Sequence, residues 1–320
     1  MGEGAAAIPD GKDRRRQATV YALLAALLWS SYYLFILTLE GSVSFTALLA
    51  YPFLAGGVSY VIWAAARGEF PAFVHGFRTS GGWLRVGLFL STQILVLQVT
   101  LSGGPVDSAL LALVGDVILT PLVARAVVGE GRGLLQNPLF LLGMGLSAGG
   151  ATLTILEGGS AQPIRGLSVL AAVVLPIVLA GFFVSGAGAN RRQPISAVAG
   201  GAGLGAGLVS LLIAPALPGG WGGLLIAPIP LLLLVVGGVI TFFVAPDLYF
   251  RAIRRSGLLL PALLMAAIPV FTLGFTVLVT HQLPSWLGLA GIPVAALGAL
   301  LAVRGTQAPG PLAEAPLADL

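Results

Sequence analysis

Residues 108–124 read SALLALVGDVILTPLVA, an apolar stretch broken by one aspartate, Asp116, and, in its last third, by Pro121. Residues 256–272, which start 148 positions later, read SGLLLPALLMAAIPVFT. Laid over each other without a gap, Ser108 falls on Ser256, Leu110 on Leu258, Leu111 on Leu259 and Pro121 on Pro269. At the same offset Phe35 meets Phe183. Both stretches are continuously apolar, as a helix crossing a bilayer with about 20 residues has to be. Two such stretches at one offset point to an internal repeat, against the alternative of chance likeness between Leu/Ala-rich helices.

The whole chain has this character. Of its 320 residues, 57% are hydrophobic and only 9% charged, where a soluble domain carries about 25% charged residues. The mean hydropathy is +1.00. Too few charges exist to cover a soluble surface. The 45 glycines follow no period of three, which excludes a collagen-like chain, and the hydrophobicity excludes disorder. With no cysteine, disulfides and thiolate chemistry are excluded, and two histidines leave little room for a metal centre. The pI of 9.8 is one that nucleic-acid binders share, but the arginines sit in short clusters between apolar runs, as membrane topology demands.

Ten such runs are expected, at about 18–38, 44–66, 83–102, 107–128, 136–156, 165–186, 196–215, 230–252, 257–280 and 284–303. They do not alternate as barrel strands would. Residues 1–17 and 304–320 read as disordered tails. If the chain starts inside, fifteen of the sixteen basic residues fall in inside segments and only Arg165 outside, so both termini are expected in the cytoplasm. The arginines at 14–16 before an apolar run also resemble a signal peptide, but the run is long, lacks a convincing cleavage site and is followed by nine more. Five spans per half is an odd number, so the second half enters from the opposite side and the repeat is inverted.

The chain resembles a ten-helix permease of the drug/metabolite transporter superfamily, built from two EamA-type repeats. The resemblance is carried by ALLAALLWSSYYLFI at 22–36, by residues 108–131 with their terminal Gly-Glu, by LYFRAIRRSGLLLPALLMAAIPVFTLGFTVLV at 248–279 and by LGLAGIPVAALGALLAV at 287–303. It covers about 18–303 and implies repeats at 18–156 and 157–303, in an inner (plasma) membrane. The sequence departs from the family pattern at Thr280-His281-Gln282, which replace a second Gly-Glu, and at Asp116 and Asp247.

Asp116 lies nine residues into its span, with no Lys or Arg three or four positions away. An intramembrane charge costs at least about 2.5–3.5 kcal/mol, so Asp116 is the candidate protonation site or ligand for a substrate amine; the alternative is a protonated carboxyl bonding a neighbouring helix. Asp247 precedes Arg251 by four, the spacing of an ion pair, while Pro246 beside it leaves a gating role open. Trp29, Tyr32 and Tyr33 share a helix face in mid-span, suited to a cavity wall for an apolar or cationic solute or simply to core packing. Gln93 is chosen over Gln98 for depth. Pro176 and Pro269 either break helices near the site or only kink them. The glycines of spans five and seven lack the Lys-Ser/Thr of a phosphate loop; Gly145/Gly149 and Gly203/Gly207 are expected to allow close helix approach. His75 and His281 read as solvated surface, Trp221 and Trp286 as interfacial anchors.

The expected function is a secondary transporter working by alternating access, moving a small metabolite such as an amino acid, or a hydrophobic or cationic drug, with export favoured. Its expected partners are that solute, the lipid bilayer and protons, without nucleic acid or cofactor; a homodimer is left open. A membrane enzyme would need clustered acid, base or metal ligands, and a channel a charged ring or filter, and neither pattern is visible.

Overall fold

The computed structural model describes residues 11–39, 41–103, 105–127, 129, 133–157, 167–281 and 286–306, with no strand among them. In chain order the helices are α1 (Gly11–Leu39), α2 (Phe45–Ala66), the short α3 (Phe70–Phe77) and α4 (Ser80–Gly103). α5 (Pro105–Val114) runs through a π-helical turn, Gly115–Leu119, into α6 (Thr120–Val127). Then come α7 (Pro138–Glu157), α8 (Leu167–Asn190) and, behind a second π turn at Ser196–Gly200, α9 (Gly201–Leu212). α10 (Pro228–Val239) passes through a third π turn, Ile240–Val244, into α11 (Ala245–Ser256). α12 (Leu259–Leu264) continues by a 3-10 turn into α13 (Ile268–Thr280), and α14 (Trp286–Gly305) follows.

Among the described residues, seven helices are long and apolar enough to cross a membrane: Lys12–Leu39, Phe45–Ala66, Ser80–Ser102, Ser108–Val127, Val173–Asn190, Pro228–Ser256 and Leu259–Thr280. Three of the expected runs correspond to shorter apolar helices, Pro138–Gly150, Ser196–Leu212 and Leu289–Gly305. Large apolar side chains are turned outward all round the bundle: Leu212, Ile229 and Leu278 are each at least 70% exposed. Water would penalise that surface, whereas lipid chains solvate it. The molecule is therefore an all-helical, multi-pass membrane protein.

Each π turn lies close to a proline: Pro121, Pro194 or Pro246. Proline has no N–H to return to the carbonyl four residues back, so the ladder is already interrupted there and accommodates a wider turn. Side chains bond to carbonyls of these turns. In the third π turn Thr241 O accepts from Trp29 Nε1 and Phe243 O from the Tyr60 hydroxyl, each at 3.0 Å.

α1 packs on α11 and α13, α2 on α9 and α10, α4 on α8 and α9, and α7 along α14. An aromatic layer joins α1, α2, α4, α8 and the third π turn: Phe89 stacks on Phe182 at 4.5 Å, and Phe53 lies 4.6 Å from Phe242, which meets Tyr32 edge-on at 5.3 Å. The α7–α14 contact is backbone against backbone. A side chain on Gly143 would collide with the main chain at Ala302 and Gly298, one on Gly150 with that at Ala295 and Gly291. At the centre the Ser147 hydroxyl donates to Ala295 O at 3.0 Å. These contacts share one offset: Gly143 and Gly291, Ser147 and Ala295, Gly150 and Gly298 are each 148 positions apart. The pair Gly143/Gly298 thus exchanges with Gly150/Gly291, a local two-fold relation.

Three details differ from the sequence reading. Residues 11–17, expected in a disordered tail, are the first turns of α1. Asp13 sits in that first turn, where the helix dipole favours an acid. Likewise α14 runs on to Gly305, past the expected end at 303. The close-packed glycines of α7 are Gly143 and Gly150, whereas Gly145 and Gly149 have nothing within 4 Å of an added Cβ. Two residues turn a helix by about 200°, so a stripe one step out of register faces away. Gly203/Gly207 does lie at a tight crossing: Gly207 meets Leu54, and a side chain on neighbouring Gly57 would strike Leu204. Arg132, Glu130, Arg165 and Gln282 lie outside the described residues.

Candidate functional site

Asp116 is the second residue of the π turn between α5 and α6 and is 1% exposed. The turn forms where α8 presses against it. Gly115 faces the Pro176 backbone, with Pro176 Cα and O only 3.0 Å from where a Cβ would stand. Pro176, read from the sequence as either a helix break or only a kink, lies inside a continuous α8 and supplies this contact surface. Thr120 closes the turn by donating its N–H to Gly115 O, a five-residue span. The wide turn puts the carboxyl among buried neighbours instead of leaving it on a regular helix face.

The carboxyl has company from α1 and α5. The Tyr33 hydroxyl stands beside the Ser108 hydroxyl and within electrostatic reach of Asp116. Among the described residues no Lys or Arg pairs with Asp116, and its Oδ1 has no hydrogen-bond partner. Four further buried side-chain oxygens are in the same condition: Gln93 Oε1, Thr120 Oγ1, Thr241 Oγ1 and Thr272 Oγ1. Burying a polar group unpaired costs about 1–3 kcal/mol in a protein.

The aromatic stripe of α1 divides. Trp29 and Tyr32 turn into the aromatic layer, Trp29 meeting Tyr249 at 5.2 Å and Phe183 at 5.9 Å. The indole N–H is held by Thr241 O, so the polar end of Trp29 is satisfied within the protein. Only Tyr33 of the three stands with Asp116. Gln93 is half-buried on α4, which neighbours α5, α8 and α9. Pro269 is buried in the first turn of α13, just after the 3-10 turn at Met265–Ala267. There, the α1 hydroxyl of Ser30 donates to Ile268 O at 3.1 Å.

Asp247 lies apart from this group. Its Oδ2 is 2.7 Å from Arg251 Nε, the i,i+4 pair expected from the spacing. His75 and His281 are exposed; His281 adopts a left-handed backbone that ends α13, its N–H returning to Val277 O. Trp221 and Trp286 are also exposed, 58% and 73%.

Sequence reasoning passed over the residues that surround a cleft of about 770 Å³ between the ends of α8 and α11. Asn190, Gln193 and Arg254 form its bonded frame. The signal available was NRRQP at 190–194, a dense polar run directly after an apolar span, in which only the charge was counted.

No family model and no curated protein matches the chain. Solved structures do resemble it. One crystal structure superposes with a TM-score of 0.68, covering 91% of this chain and 98% of its own, at 22% identity. That likeness shows a shared fold and nothing of function.

Proposed function

We propose that the chain is a secondary carrier of the drug/metabolite transporter type, crossing an inner (plasma) membrane ten times as two inverted five-helix repeats with both termini in the cytoplasm. The observation that carries this reading is the exchange of α7–α14 contacts at an offset of 148, the offset at which residues 108–124 align with 256–272. The other pairings agree with it. At that offset α1 corresponds to α8, α2 to α9 and α4 to the helix made of α10 and α11, so α1 on α11 is the counterpart of α4 on α8. Two halves related in this way and set against each other are the architecture of alternating access.

Asp116, with Tyr33 and Ser108, is the proposed solute or proton site. A carboxyl buried in an apolar bundle without a counter-charge is stable when neutral or when a cation faces it. Exchange between those two conditions would couple a proton to a small metabolite or a cationic drug, moved outward in preference to inward. Gln93, Thr120 and Thr272 offer further open oxygens to such a solute. The Asp247–Arg251 pair and the prolines Pro176 and Pro269 are candidates for gating.

The test is uptake into proteoliposomes of a solute first found by its thermal stabilisation of the purified protein. Asp116→Asn is expected to abolish pH-gradient-driven uptake and to leave solute exchange intact. Gradient-driven uptake unchanged in this variant would remove Asp116 from coupling.

A further inference from the structure

At the offset of 148, a contact at one end of the bundle has an expected counterpart at the other. Several contacts do recur in this way. At the start of α2, Ser44 donates to Gly223 O at 2.7 Å and Thr46 to Pro218 O at 2.9 Å, both in the connection between α9 and α10. At the opposite end Ser196, in the π turn before α9, donates to Glu69 at 2.6 Å, in the connection between α2 and α4. Likewise Phe89 of α4 stacks on Phe182 of α8, and a side chain on Gly237 of α10 would strike the Phe35 ring of α1. The meeting of α1 with α11 is different. At the inner end, where α1 begins, Trp29 lies 5.2 Å from Tyr249. Arg255 stands 4.8 Å over the Tyr21 ring, and its Nε donates to Gln17 Oε1 at 3.0 Å. Ala22 and Ala25, on the same stretch of α1, are 0% exposed. The residues of α8 that match Ala22, Ala25 and Trp29 are Leu170, Val173 and Ile177, which are 58%, 61% and 57% exposed. Tyr249, itself fully buried, is matched on α4 by the exposed Leu101.

We propose, on the carrier reading and its inverted repeat, that the α1–α11 seal is an inner gate, shut in this conformation, and that the outer ends of α8 and α4 are its parted counterpart, through which water and solute reach Asp116. Two states that exchange the ends of an inverted repeat share every contact found at both ends. The bonds of Ser44, Thr46 and Ser196 therefore belong to a fixed frame, and so do the rings of Phe89 and Phe35. A contact made at one end only is what distinguishes the states. Halves in identical conformations would cover Val173 and Ile177 as Ala25 and Trp29 are covered. The seal is also made of parts that separate readily. Ala22 and Ala25 carry no side chain that interlocks with α11, and a guanidinium over an exposed tyrosine ring is a weak, water-accessible contact. Ser108, one turn into α5, lies on the outer side of Asp116, in line with entry from that end.

The chain has no cysteine, so single thiols report without background. Ala25→Cys and Val173→Cys, made separately in the full chain in nanodiscs, are reacted with a charged, water-soluble maleimide. A thiol reacts as the thiolate, which needs water beside it. Val173→Cys is expected to label at least about tenfold faster than Ala25→Cys, and both to label alike after unfolding in detergent. Ala22→Cys and Leu170→Cys repeat the comparison one turn nearer the ends. Adding Arg255→Ala, which frees Tyr21 and Gln17, should speed labelling of Ala25→Cys and slow that of Val173→Cys. If that variant fails to fold, Gln17→Ala takes its place. A Val173→Cys thiol that stays unlabelled in the folded protein faces lipid, and overturns the proposal. So does faster labelling of Ala25→Cys with Val173→Cys unchanged, because the inner end has then merely loosened. Uptake of the stabilising solute into proteoliposomes separates this from the carrier reading. Uptake with Val173→Cys unlabelled removes the gate alone, whereas reciprocal labelling without uptake keeps the gate and removes the carrier.

Discussion

The Ser147 hydroxyl donates to the carbonyl oxygen of Ala295 at 3.0 Å, and the two residues are 148 positions apart. A residue bonded to its own counterpart in the proposed repeat sits on the axis relating the two halves. The flanking glycines carry that axis along α7 and α14, where close approach leaves no space for a Cβ.

Gly143→Leu is therefore expected to separate α7 from α14. Overpacking a tight contact costs about 1–3 kcal/mol, and here the obstacle is backbone, which cannot move aside. Gly145→Ala, two residues on with open space around it, should be neutral or stabilising by up to about 1 kcal/mol through helix propensity. Thermal unfolding in detergent compares the two. Equal losses would show that the packed face has been misassigned.

Trp29→Phe removes the indole N–H from Thr241 O, and Tyr60→Phe removes the hydroxyl from Phe243 O. Each change removes one hydrogen bond to the third π turn inside the bundle, at an expected cost of about 0.5–1.5 kcal/mol. Because the two carbonyls belong to one turn, the double variant should depart from additivity. A double-variant cycle on melting temperatures measures this. Strict additivity would mean that the two bonds do not share the turn's stability.

Asp247→Asn breaks the pair with Arg251, whose two side chains remain 17% and 34% exposed. A helical i,i+4 pair of this kind contributes about 0.3–0.5 kcal/mol, so stability should hardly change. Transport rate is the informative readout. A rate altered at constant stability supports gating, while an unaltered rate makes the pair an anchor of α11.

Asp116→Leu would replace the unpaired carboxyl by an apolar side chain of comparable size. The protein is expected to melt at the same temperature or higher, because an interior polar oxygen without a partner destabilises the fold. A marked fall in melting temperature would reveal that the carboxyl bonds its surroundings as structural glue.

Much of the helix layout was legible because apolar length is a first-order requirement of a bilayer. The runs expected at 44–66 and 257–280 end within a few residues of α2 and of α12–α13. The Asp247–Arg251 pair was legible for the same reason of local geometry, four residues on one helix. Long-range features were not. Which glycines of α7 meet α14 depends on the rotation of that helix, and 143/150 against 145/149 cannot be told from spacing alone. The π turn at Gly115–Leu119 likewise broke the 3.6-residue arithmetic that would place Asp116 on a face. Trp29 drew attention as a cavity wall because its indole needs a partner, and that partner was a carbonyl 212 residues away.

The three π turns hold their helices one residue out of step with a regular spiral. Moving such a turn along its helix rotates the segment beyond it without unwinding the ends. α6, α9 and α11 each follow one, so the face that each presents to its neighbours is turned by about 100° from where an unbroken helix would have set it.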